Sequence, residues 1–114
     1  MQGSDRDYIA DMLENAEFAI RLLASTGSTA FAADRNKFAA LCHFVQTIGE
    51  AASQVSVEGR SELAEMPWQK VIGMRHRLVH GYRTIVVDLV IGTVRDDLPP
   101  LLASLRRALE KNPP

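Results

Sequence analysis

The sequence has one cysteine, Cys42, in 114 residues, so no internal disulfide can form. It also lacks the close-set quartet of Cys and His that a structural zinc needs. A chain without such staples must be held by an apolar core. Its cysteine usage suits a reducing compartment, and a cytoplasmic location is expected. No run of eighteen apolar residues is present, so no membrane-spanning helix is expected. The opening MQGSDRDY mixes charges and has no apolar stretch, unlike a signal peptide. A basic excess is missing as well: 13 Lys and Arg face 14 Asp and Glu, for a net charge of −1. Proteins that grip nucleic acid along its phosphates are usually basic. Any RNA contact must therefore be local and made by a few arginines. Internal repeats and low-complexity tracts are absent.

The 46% hydrophobic content argues for a folded chain, and the length suits one domain over residues 1–114. Ile9, Met12, Leu13, Ala16, Ile20 and Leu23 recur at steps of three and four. They predict a helix of about five turns, capped by Ser4, with Asp5 and Asp7 at its positive end and the run 25–29 closing it. Phe38, Leu41, Val45, Ile48, Ala52 and Val55 predict a second helix from near Asp34 to about Val55. Residues 56–66 read as a connection with a short helical turn. Pro67 suits the first turn of a third helix running toward Val79, with Gly81 marking its end. Asp88 is the candidate cap of a fourth. Pro99 and Pro100 should kink or split that helix, with Asp97 capping a second piece that carries Leu98, Leu101, Leu102, Leu105 and Leu109. Ile85-Val86-Val87 is the one strand-like run, too short for a sheet. The expected fold is all-α, an antiparallel bundle of four or five helices.

Chemistry concentrates in MRHRLVHGYR, residues 74–83. Arg75 and His80 stand five residues apart, about 140° around an ideal helix, so one chain closes a site with them poorly. A two-fold dimer would set two such pairs face to face. His76 and His80 share a stripe, and Arg77 lies between them. Arginine beside histidine suits RNA cleavage without a metal. A neutral imidazole takes the 2′-OH proton, an imidazolium protonates the 5′-oxygen, and a guanidinium matches the phosphate oxygens. Basic residues near a helix C-terminus are also favoured by the dipole alone. Glu50 reads equally as a solvated residue or as an inward carboxylate orienting Arg75. His43 reads as a core or interface histidine, Cys42 as a small buried hydrophobe, and Trp68 as a packing anchor.

Four blocks, in this order, resemble one known family. They are DYIADMLENAE, FVQTIGEAAS, MPWQKVIGMRHRLVHGY and TVRDDLPPLLASL. The family is the HepT-like branch of the HEPN superfamily. The resemblance implies a helical homodimer with a composite cleft on the two-fold axis, in which Arg75 and His80 match the ribonuclease residues. It implies no metal or other cofactor. It further implies a toxin whose antitoxin is an MNT-type nucleotidyltransferase, with Tyr82 matching the tyrosine that receives AMP. His76 stands where the family usually has Asn, Val86 where it commonly has Asp, and Ile91 where Trp is common. Intact Arg75, His80 and Tyr82 favour an endoribonuclease. The departures and the acidic balance favour the alternative, a non-catalytic HEPN dimer that binds a nucleotidyltransferase.

Overall fold

Helix α1 spans Gly3–Thr26 and buries Ile9, Met12 and Ala16, with Leu13, Ile20 and Leu23 packed half-buried against the same core. The predicted stripe is thus its inward face. Ser4 does not cap it: the helix already begins at Gly3, behind Gln2, which makes no side-chain cap. It ends at Gly27, whose φ of +83° is accessible to glycine at little steric cost, and whose N–H donates to the Leu23 carbonyl at 2.9 Å. The computed structural model describes residues 1–80 and 87–113, leaving out the side chains of Ala32 and of residues 77–80.

After a 3-10 turn at Ser28–Ala32, α2 runs Arg35–Gln54. The helix starts where expected, and Asp34 caps it, its Oδ1 accepting from the Lys37 amide at 3.0 Å. The short turn foreseen in 56–66 is α3, Val57–Glu62, capped by Ser56. Helix α4 spans Trp68–His80, and the Pro67 carbonyl opens it by accepting from the Val71 amide. Trp68 is 9% exposed, and its indole N–H donates to the Leu63 carbonyl at 3.0 Å. It anchors the packing, as predicted.

Helix α5 (Val87–Gly92) leads through a π turn at Thr93–Asp97 into α6 (Leu98–Lys111). Pro99 and Pro100 contribute no N–H, so the ordinary four-residue ladder fails there. The Leu98 amide instead reaches back five residues to the Thr93 carbonyl, the spacing of a π turn. The split fell where the prolines placed it, but two caps did not form. Asp97 makes no side-chain cap and pairs with Lys70, Nζ to Oδ1 3.0 Å. Asp88 lies inside the first turn of α5 rather than ahead of it. Gly81 and the strand-like Ile85-Val86 fall outside the described residues, and Val87 opens a helix.

Helix α2 packs along α1 on one side and α4 on the other, and α1 packs in turn along α6. The order α4–α2–α1–α6 makes an all-α bundle, as expected, with no strand among the described residues. Its core joins Ile9 and Met12 to Leu41, Val45 and Ile48, to Val71 and Met74, and to Leu98, Leu101 and Leu105. Among the described residues no helix is long and apolar enough to cross a membrane.

One polar contact clasps the start of α1 to the start of α3. Asp5, expected only to favour the helix dipole, is 2% exposed. Its Oδ1 accepts from the Ser56 amide at 2.8 Å and its Oδ2 from the Ser56 hydroxyl at 2.6 Å. The same hydroxyl accepts from the Gly59 amide at 3.0 Å. Gly59 must lack a side chain, since a Cβ there would lie 2.5 Å from Asp5 Oδ2. Burial pushes the Asp5 carboxyl up, but the Ser56 hydroxyl and amide, with the Met1 ammonium and the Gln2 backbone, outweigh it and hold it below its ordinary value.

A carboxylate whose folded pKa is depressed stabilises the fold above its unfolded value, and loses that contribution as pH falls through the folded value. Asp5→Asn sets an amide donor against the Ser56 donors. Denaturation at pH 7 should show a loss of about 1–3 kcal/mol. The gap to the parent should narrow as pH falls below about 4. A gap that is constant down to pH 3 would contradict the clasp.

Candidate functional site

Helices α2 and α4 come closest at Gly49. A Cβ there would meet the Arg75 Cβ at 2.6 Å, the Arg75 amide nitrogen at 3.0 Å and the Val71 carbonyl at 3.2 Å. The two backbones therefore touch where Arg75 leaves α4. A glycine inside a helix costs about 0.5–1 kcal/mol relative to alanine. Here it permits a contact that no other residue allows.

From that point the Arg75 side chain turns along α2 to Glu50, with Nε 3.0 Å from Oε2. The arginine side chain is 33% exposed and the glutamate 52%. Both readings of Glu50 thus hold in part, since it is solvated and it also orients Arg75. In so open a setting the ion pair adds little stability, but it fixes the direction of the guanidinium. Among the described residues Glu50 pairs with Arg75 at Nε, and a guanidinium has further N–H donors that match an oxyanion.

His76, next along α4, is exposed. Arg77 and His80 belong to the same helix, with their side chains outside the described set, and Tyr82 lies outside the described residues. The register of α4 keeps Arg75 and His80 about 140° apart. The structure thus brings Arg75 and Glu50 together and puts His76 on the surface of the same helix. Among the described residues no group of three or more His, Cys, Asp or Glu is placed to hold a metal ion.

Elsewhere on α2, His43 is exposed, which corrects the core reading of this residue: position 43 falls on the outward stripe. Cys42 is half-buried rather than buried, and burial pushes its thiol up. Two residues of structural weight escaped the sequence. Asp5 has its partner 51 positions away. Gly49 did carry a signal, a glycine inside an otherwise apolar helical stripe. Gly49→Ala should destabilise the fold by about 1–3 kcal/mol through overpacking and move Arg75 off Glu50. Urea denaturation with the solvent accessibility of position 75 would check it. An Ala variant of parental stability would deny the backbone contact.

Residues 12–108 match the family model described as "Ribonuclease HepT-like". The chain is 28% identical over 101 residues to the protein named "Probable ribonuclease HepT" of Thermococcus cleftensis, covering 89% of this chain and 92% of that one. It is 26% identical over 106 residues to a "Putative RNase" of Caldanaerobacter subterraneus subsp. tengcongensis, covering 93% and 95%. A "Putative RNase" of Methanocaldococcus jannaschii is 26% identical over 94 residues, covering 82% and 86%. No solved structure gives a match. The four sequence blocks, the helical bundle and a family match spanning most of its length agree: this chain belongs to the HepT-like ribonuclease family.

Proposed function

We propose that this chain is a metal-independent endoribonuclease, the toxin of a toxin–antitoxin pair, acting as a homodimer with Arg75 and His80 of both chains around one cleft. The observation that carries the reading is Arg75 itself, seated against α2 by Gly49 and aimed by Glu50. Family membership supports ribonuclease chemistry. The 140° offset on one helix supports a second copy completing the site.

In the cleavage step one imidazole takes the proton of the 2′-OH. The 2′-oxygen forms a bond to phosphorus, and the bond from phosphorus to the 5′-oxygen breaks. A protonated imidazole from the other chain delivers a proton to the departing 5′-oxygen. The products are a 2′,3′-cyclic phosphate and a 5′-hydroxyl, and Arg75 meets the charge that builds on the phosphoryl oxygens. An unperturbed imidazole titrates near neutral pH, so both protonation states are within reach.

His80→Ala should lower RNA cleavage by about 10²–10⁴-fold, and Arg75→Ala should do likewise, while the helical circular dichroism is kept. A 2′-deoxy substitution at the scissile nucleotide should block cleavage, and EDTA should leave it unchanged. Full activity in His80→Ala would overturn the mechanism. RNA binding with no cleavage by the parent chain would favour the non-catalytic module.

The antitoxin of this proposal is an MNT-type nucleotidyltransferase that adds AMP to Tyr82. Tyr82 follows His80 by two residues, so a phosphodiester on its oxygen would bring a fixed negative charge to the catalytic motif, where it would repel an RNA phosphate. The phenol is a handle rather than a catalyst. Tyr82→Phe should therefore keep ribonuclease activity yet escape silencing. Mass spectrometry after co-expression with the cognate nucleotidyltransferase should find an adenylyl adduct on Tyr82. Silencing without an adduct would show that the antitoxin acts by binding alone.

A further inference from the structure

The outward face of α2 does not stop at Glu50. Ala39, His43, Gln46 and Glu50 recur at steps of four, three and four, and all are exposed. They form one stripe within about 60° of arc. Along this stripe runs a groove of about 490 Å³, within the ~300–1,000 Å³ usual for small-ligand sites. Phe38, Cys42 and Val87 give it an apolar floor, Gln46 and His43 line it with polar groups, and Arg35 contributes to its wall. No acidic side chain is among its described lining residues. The groove between α4 and α6 differs, with Glu65, Asp96 and Asp97 facing a single Lys70 in its lining.

We propose that the α2 groove seats an unpaired base of the RNA strand whose phosphate meets Arg75, and so sets which nucleotide stands beside the cut. This rests on the ribonuclease reading above. Gln46 lies about one helical turn, ~6 Å, from Glu50 along α2, so the groove adjoins the residue that pairs with the Arg75 guanidinium. An apolar floor that includes the Phe38 ring suits the face of a base. A carboxamide offers both a donor and an acceptor to a base edge. The His43 imidazole packs against the Phe44 ring, centroids 6.1 Å apart, and adds a second polar group steadied from behind. Arg35 in the wall, with no acid among the described lining, favours a polyanion. A duplex would hide the faces and edges that this lining can read, so the occupant is single-stranded.

The test uses uncleavable 2′-O-methyl hexanucleotides, one of each base and one of mixed sequence with an abasic position, titrated onto the full chain by fluorescence anisotropy. Gln46→Ala and His43→Ala alter exposed side chains and should fold as the parent does. Each should weaken the preferred hexamer about tenfold, the scale of one lost base contact. Each should leave the abasic oligomer's affinity unchanged and level the preference among bases. Binding does not depend on turnover, so this outcome stands even if no cleavage is found. Conversely, cleavage with an unaltered base preference in both variants would overturn the groove while sparing the ribonuclease. No hexamer binding, equal loss with the abasic oligomer, or a change in molecular mass of either variant by light scattering would also overturn it. The last outcome would make the groove a surface between two copies.

Discussion

The contact between Gly49 and Arg75 sets the geometry on which the site depends. Two helices rarely come so near that a methyl group cannot pass between their backbones. Where they do, the residue opposite the glycine loses its freedom to lean toward its own helix axis and must run along its neighbour. Arg75 does so, and Glu50 lies in its path. The Glu50–Arg75 pair contributes direction rather than stability. Half-exposed charges gain little net energy from one another, while a guanidinium already pointed at its target loses less entropy when it meets a phosphate.

A second polar constraint sits just past the C-terminal end of the same helix, beyond Gly49 and Glu50. Helix α2 leads through Val55 into Ser56, and Ser56 is held by Asp5 at the start of α1. The Ser56 hydroxyl donates to Asp5 and accepts from Gly59, so the cap of α3 and the anchor of α1 are one group. Buried carboxylates persist when their lone pairs are satisfied. Asp5 meets that requirement through a neighbour distant in sequence, which fixes how the α1–α2 pair meets the stretch leading into α4.

Much of this was legible in the residues. The α1, α2 and α6 stripes declared themselves by their spacing because each of these helices has one wet side. The start of α2 near Asp34 was legible too, though not that its carboxylate caps the helix. Ser4, Asp88 and Asp97 have the same chemistry and do not cap, because a cap needs the backbone to leave the helix at that residue, and tertiary packing decides where it leaves. The resemblance singled out Arg75 without showing what positions it. Gly49 makes sense only against α4, Asp5 only against Ser56, and neither partner is near in sequence. The core reading of His43 failed because an apolar neighbourhood along the chain is not the same as an inward face.

The place of α2, packed by α1 on one flank and α4 on the other, has a bearing on amide hydrogen exchange. An element held from both sides opens only when most of the domain opens, so its central amides should exchange near the global unfolding limit. Val45, Ile48 and Ala52 on its inward face are shut off from solvent, while Gln46 and Glu50 on its outward face belong to the same slowly exchanging backbone. Recognition built on this helix is stiff by inheritance. If the proposed RNA strand docks there, it is the strand that must adapt to the protein, and sequence preference would follow from which nucleotides bend to fit.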